Sequence, residues 1–502
     1  MKSRKSSMIA LLLMAAMQGA MAQNDNPVIV KHGVEEADKW TADPNPAASG
    51  QTVTVNYNGT LKVKSLEANE VTPTDLSMVD CAGNANANGR TTANCYMVHT
   101  AGNYKLPLVY GNAIKNGTLN STAYTGPSSG TNITKTFPNH EGNAITAPWI
   151  TKSTDGSGVD QGMGISVASA ELLWQDAPGL VTEVGISGDY LTLTVGKDAT
   201  EQEGNAVVAA KDGSGNIVWS WHIWLTRQTF AADDLTTVAT GSHDYDVTPV
   251  NVGWVGTPFG RGYSPYYQWG RKDAFIPADI TVVDMEQPEE TPTNTGSDSG
   301  SSSGGQVHVV VDVTIEPIGT VHYTNNHSVY DINGTAVTGF ALDNSTSATI
   351  AANIMAPTTF RYKADNTFTN LWNAQTGSSE NVSTATVKTV YDPCPPGFCV
   401  PTDNLYKYVV SADISNFGWN DDRKGFILKT STAKVLFPAL GKREDTEKAE
   451  EVDIDGYYWS ATGFQDNSGK TAKALYIHRN NERHYYSLTR VNGHPVRAVA
   501  EE

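Results

Sequence analysis

Residues 391–402, YDPCPPGFCVPT, bring two cysteines, four prolines and a glycine into twelve positions. A thiol does chemistry when a helix N-terminus, a metal or a nearby cation lowers its pKa and solvent can reach it. Cys399 stands three residues before a helix start, which is the one feature in favour of that role. No positioned base is signalled beside it, and export would expose a free thiol to oxidation. The stretch therefore reads as a brace: prolines fix the backbone, Gly397 permits the turn, and Thr402 caps the next helix. Elsewhere there is no nucleophile elbow, metal-ligand cluster or phosphate loop at a recognised spacing. No catalytic residue, metal or cofactor is expected.

Cys81 and Cys95 flank a polar loop, AGNANANGRTTAN. A disulfide there would close a loop worth roughly 3 kcal/mol in the chain-entropy model. Zinc is the rival reading, but the loop supplies only two thiols and no histidine. In WSWHIW, residues 219–224, alternation sends Trp219, Trp221 and Ile223 one way and Ser220, His222 and Trp224 the other. Such residues fill a sandwich or a domain junction more often than they stack on sugars, and His222 reads as a hydrogen-bonded structural histidine. The segment 476–499, YIHRNNERHYYSLTRVNGHPVRAV, combines Tyr, Asn, Arg and His. These amphipathic types bind sugars and proteins at modest ordering cost. Arg483, His484, Tyr485 and Tyr486 are the candidate ligand-binding residues. The alternative is that Tyr476, Val496 and Val499 are core and the polar residues only line the surface.

The elements that must position these residues are mostly strands. QTVTVNYNGTLKVKSL alternates around an Asn58-Gly59 turn. YLTLTV, the two runs joined at Asp212-Gly213-Ser214-Gly215, QVHVVVDVTIEPIGTVHY and ALYIH continue the pattern. Two short helical or turn segments are expected, DNLYKYVVSA, with Leu405, Tyr408 and Val409 on one face, and a turn around YYQWGRKDAF. Residues 287–305 lack apolar side chains and read as a flexible linker. Residues 441–456 mix both charges and read as a solvated loop.

Lys2, Arg4 and Lys5, the apolar run 8–16 and Ala20-Met21-Ala22 read as a signal peptide over 1–22, with the mature chain starting at Gln23. The apolar run is too short to span a membrane, so no integral segment is expected after cleavage. A formal charge of −18 argues against nucleic acid, which needs a basic stripe. Export also fits the four cysteines, which permit at most two disulfides. At 502 residues the chain is long enough for two or three domains.

The order of several islands, TTANCYMVHTAGNYKLPLVYGNAIKNG, ASAELLWQDA, YYQWGRKDAF, FTNLWNAQTG, VYDPCPPGFCVPT, VLFPALGKR, YYWSAT and NGHPVRAV, resembles surface and fimbrillin-like proteins of Bacteroidota-type bacteria that carry a Fibrobacter succinogenes major paralogous domain. The match runs from Trp219 to Val499, with Cys-Pro-Pro-Gly, Trp-Ser and Val-Arg as its specific marks. The resemblance implies a mainly β chain, with a β-sandwich over 91–218 and an α+β C-type-lectin-like domain over 219–502 with an insertion at 279–340. Residues 23–90 carry no motif of the family and read as a β-rich segment from their own alternation. Many members end in Val-Arg-Cys-Val, where this chain has Val496-Arg497-Ala498-Val499, and Cys399 is additional. That departure implies either a short Cys394–Cys399 bridge or two buried thiols. Trp419-Asn420-Asp421 is similar to the triplet of calcium-dependent lectins. Its companion motif is missing, so chance is the better explanation.

These readings point to an exported, non-enzymatic adhesin or ligand-binding protein whose partner is a glycan or a host or bacterial surface protein. The other expectation is a fimbrial subunit that assembles by strand exchange, with residues after Gln23 as donor or displaced strand.

Overall fold

YLTLTV shows why this chain forms sheet. Leu191, Leu193 and Val195 alternate with Tyr190, Thr192 and Thr194, and only the first set is fully buried. The computed structural model describes residues 72–502 except 153–160, 279–325, 338–339, 344–348, 362–367, 376–384, 432, 445–448 and 465–469. It also describes the backbone of a ladder between Trp40–Thr41 and Asn56–Tyr57. The segments expected to be a signal peptide (1–22), a turn at Asn58-Gly59, a linker (287–305) and a strand run from Gln306 lie outside the described residues.

From Thr72 onward, strands β1 (Thr74–Asp75), β2 (Cys95–Val98), β3 (Gly102–Pro107), β4 (Ser169–Gln175), β5 (Val181–Ser187), β6 (Tyr190–Val195), β7 (Gly204–Lys211) and β8 (Ile217–Leu225) make two sheets. Their orders are β1-β3-β6-β5 and β2-β8-β7-β4. The turn at 212–215 is present, with Asp212 accepting from the backbone of Ser214 and Asn216. The WSWHIW side chains in β8 are all buried. Trp219 Nε1 donates to Asn94 Oδ1 at 3.0 Å, and His222 bridges Asn205 at 2.8 Å and Tyr267 at 3.2 Å. Burial pulls the His222 pKa down to about 3, so it is a neutral core residue.

Besides several two-residue bridging strands, the chain continues with β9 (Thr236–Ala239), β10 (Asp244–Val247), β11 (Tyr267–Gln268), β12 (Phe398–Cys399), β13 (Phe417–Asn420), β14 (Gly425–Lys429), β15 (Lys434–Pro438), β16 (Leu440–Arg443), β17 (Ala449–Val452), β18 (Asp455–Phe464), β19 (Thr471–His478), β20 (Glu482–Thr489), β21 (Gly493–His494) and β22 (Val499–Ala500). The largest sheet runs β11-β21-β16-β18-β19-β20, with β17 paired to β16. Two short helices accompany them, α1 (Ile350–Met355) and α2 (Asp403–Ser411).

The protein is mainly β. Strand β8 passes unbroken through the expected boundary at 218, and one buried cluster holds both Trp221 of β8 and Trp459 of β18. Residues Thr72–Glu502 form a single compact unit. No helix among the described residues is long and apolar enough to cross a membrane.

Two expectations need correction. In α2 the buried stripe is Leu405, Tyr406 and Val409, while Tyr408 is exposed. Thr402 occupies the cap position, but its hydroxyl pairs with Tyr245 at 2.5 Å and makes no cap bond. The charged run 441–456 is also strand rather than loop over much of its described length. Residues 441–443 of β16 pair with β17, residues 455–456 begin β18, and Ala449 and Val452 are buried between charged neighbours. Glu451 and Asp453, at the end of β17 and in the turn into β18, take left-handed φ of 62° and 65°.

Candidate ligand-binding groove

Register along β18, β19 and β20 creates two neighbouring cross-strand rows. Tyr457 stands opposite Tyr476, which stands opposite His484. One step along, Asp455 stands opposite His478, which stands opposite Glu482. Because side chains alternate across a strand, both rows share one face of the sheet. Tyr486, two residues beyond His484, joins the aromatic row.

The rings form a continuous series. Tyr486 stacks on His484 at 5.0 Å and 17°, and His484 on Tyr476 at 5.9 Å and 19°. Tyr476 meets Tyr457 at 5.2 Å, and Tyr457 stacks on the buried His494 at 5.0 Å and 15°. Beside this series lies a groove of about 360 Å³, lined by Tyr457, Tyr476, Tyr486, Lys442 and the carboxylates of Glu444, Glu451, Asp455 and Glu482. Glu451 reaches the groove because β17 folds back onto β16.

Charge in the groove is predominantly negative. Tyr457 donates to Glu451 at 2.7 Å and Tyr476 to Asp455 at 3.2 Å. Lys442 lies 2.6 Å from Glu444 and 3.4 Å from Glu451. Burial pulls the Lys442 ammonium down, but these carboxylates more than offset it and hold its pKa above the ordinary value. Burial, reinforced by neighbouring Glu451, pushes the Asp455 carboxyl up to about 6. Burial and the adjacent carboxylates likewise raise both tyrosine hydroxyls, which stay protonated donors. The arrangement offers acceptors for hydroxyl groups beside ring faces for apolar C–H surfaces.

The four residues singled out in β20 divide between the two faces. His484 and Tyr486 belong to the groove side, with Tyr486 44% exposed. Arg483 and Tyr485 turn the other way. The Arg483 guanidinium donates to the carbonyls of Ala412 and Phe417, and the Tyr485 hydroxyl donates to Asp403 of α2. Both are tied into structure. Sequence reasoning missed Glu451, Asp455 and Tyr457. The adjoining KAEEVDIDGYYW, acidic residues leading into aromatics, was the available signal.

All four cysteines are buried thiols in this structure: the bridge expected between Cys81 and Cys95 is not formed, and Cys394 and Cys399 take the second of their two expected states, two buried thiols. The Cys81 thiol instead donates to the Pro396 carbonyl at 3.2 Å. Burial pushes its pKa up to about 12 and raises the other three well above the ordinary value. Around them the Cys-Pro-Pro-Gly loop is held by polar groups. Asp392 accepts from the backbone of Cys394 at 2.8 Å and Val400 at 3.0 Å. Lys388 donates to the carbonyls of Cys394 and Pro395. Asn94 donates to Val390 and Asp392, tying the loop to the segment before β2.

In the Trp-Asn-Asp triplet, Trp419 Nε1 donates to Asp421 and Asn420 accepts from the Arg423 backbone, so both oxygens serve the local turn. Among the described residues no group of three or more His, Cys, Asp or Glu is placed to hold a metal. Comparison with protein-family models, with curated proteins and with solved structures finds no match.

Proposed function

We propose that this chain is an exported, non-enzymatic surface protein, an adhesin that binds carbohydrate in the groove over β18, β19 and β20. The observation that carries the reading is the row Tyr457, Tyr476, His484 and Tyr486 set beside Glu451, Asp455 and Glu482. Aromatic faces cover the apolar side of a sugar ring, and carboxylates accept its hydroxyl hydrogens. The resemblance of the Cys-Pro-Pro-Gly, Trp-Ser and Val-Arg islands to exported surface proteins supports the location and a lectin-like second half. The test is a glycan array probed with the full mature chain. Selective binding that falls about tenfold or more in Tyr486→Ala supports the reading. An array without signal, or binding unchanged by that substitution, overturns it.

The second reading, a fimbrial subunit joined by strand exchange, is favoured by one feature. Strand β20 is eight residues long and ends the sheet order, leaving an edge for an added strand. Filaments formed after N-terminal trimming would support it, and a persistent monomer in scattering would count against it.

A further inference from the structure

A second cavity, of about 50 Å³, lies between the turn after β11 and helix α1 and shares no lining residue with the groove. Four cationic side chains line it: Arg271, Lys272, Arg361 and Arg490. Two of them have carboxylate partners. Lys272 pairs with Asp273 at 2.5 Å, and Arg361 pairs with Asp343. Among the described residues the other two form no ion pair with a carboxylate. Asp273, already paired with Lys272, is the one whose charge acts on Arg271 as well, so four cations share two carboxylates. Arg271 donates to Gln268 Oε1 and to the carbonyls of Thr359, Ala356 and Pro357. Among the described residues Arg490 donates to the carbonyls of Thr471, Phe368 and Phe464, with its guanidinium 4.4 Å above the Trp269 ring.

Both unpaired guanidiniums are buried. Taking such a charge out of water without a counter-charge is costly, and carbonyl dipoles compensate only part of it. Nε of Arg271 and Nε of Arg361 are also buried with no acceptor, although buried donors are nearly always paired. Asn353 lines the same cavity, and its buried Oδ1 has no donor. A carboxamide that turns over presents its NH₂ instead, so this residue too can serve an acceptor. The shortage is of negative charge and acceptors, at one place.

We propose that this cavity binds a small monovalent anion, of the size of chloride or of a carboxylate group, held by Arg271, Arg361 and Arg490. The free volume admits one compact ion and excludes a phosphate ester or a sugar acid in full. Its occupancy adds the missing counter-charge between the β11 turn, α1 and the end of β20, so the anion acts as part of the fold.

The test is thermal unfolding of the full mature chain at constant ionic strength, exchanging chloride, bromide or formate against the bulky anion gluconate. A saturable rise in Tm of roughly 2–4 °C or more with the small anions, absent in gluconate, supports the site. A response to formate but not to the halides assigns it to carboxylates. A response to both assigns it to small anions generally. Bromide soaked into crystals should give an anomalous peak in the cavity. Arg490→Gln should lose the anion response, and if that variant does not fold, the bromide peak and the wild-type response decide alone. A Tm that follows ionic strength whatever the anion, together with no bromide peak, overturns the proposal.

Discussion

Tyr485 and Tyr486 are neighbours in the chain but serve opposite faces of one sheet. The hydroxyl of Tyr485 donates to Asp403 on α2, while the Tyr486 ring lies 5.8 Å from Tyr476 along the groove. The two substitutions should therefore separate cleanly. Tyr485→Phe removes a bond to a buried carboxylate and should cost about 1–2 kcal/mol in urea unfolding, with glycan binding unchanged. Tyr486→Ala truncates an exposed ring and should leave stability within about 0.5 kcal/mol while abolishing binding. Equal effects of the two on binding would remove the assignment of faces.

The groove carboxylate Asp455 makes stability depend on pH in an unusual direction. Its folded-state pKa is pushed up to about 6, against an unfolded value of about 4. Between those values the folded chain holds more protons than the unfolded chain, so this contribution to stability falls as pH rises and is fully lost above about 6. Asp176, which burial also raises to about 6, acts in the same sense. Asp455→Asn removes one of the two titrations. The stability of wild type relative to this variant should therefore decrease across pH 4–6. Parallel curves in chemical unfolding at a series of pH values would contradict it. Affinity for a neutral glycan should rise as pH passes through about 6, where Asp455 ionises in the folded chain and becomes a full acceptor.

Burial of the four sulfurs predicts their reactivity. At pH 8 the native chain should resist alkylation at Cys81, Cys95, Cys394 and Cys399, and all four should label in denaturant. Peptide mapping without reductant reads both labelling and pairing. Rapid native labelling of Cys399 would restore the chemical reading of its loop, and a linked peptide pair would show a bridge.

What was legible in the sequence follows from how local each signal is. Strand alternation in YLTLTV and the 212–215 turn are set by neighbours along the chain, and both appear as read. The face of α2 was misplaced because Tyr406 and Tyr408 are equivalent by type, and only the tertiary contact of Tyr406 with the Trp459 carbonyl, at 3.2 Å, separates them. Half of the groove was legible, since His484 and Tyr486 lie in a segment of recognisable composition. Glu451 and Asp455 were not, because mixed charge describes a solvated loop equally well. Their place depends on two left-handed residues and on pairing with β16, which no local pattern reports.

The loop that opened the question of thiol chemistry is held by a carboxylate rather than by sulfur. Asp392 is fully buried and closes the turn from both ends, accepting from Cys394 and Val400, while buried Lys388 lies close enough to interact electrostatically with it. Asp392→Ala leaves two backbone donors without acceptors and takes from Lys388 the stronger of its two carboxylate interactions, Glu501 being the other. The cost should be about 3–5 kcal/mol. Gly397→Ala is the contrast within the same loop: φ is +79°, and an added Cβ meets nothing within 4 Å, so only left-handed strain of about 1–2 kcal/mol should appear. Cys394→Ala should lose packing and the thiol's hydrogen bond to Asp392 but keep that carboxylate's two backbone bonds, at a cost of about 1–2 kcal/mol. Urea unfolding of the three variants ranks them. If Cys394→Ala proved the most damaging, with Asp392→Ala near neutral, sulfur and not the carboxylate would be what holds this turn together.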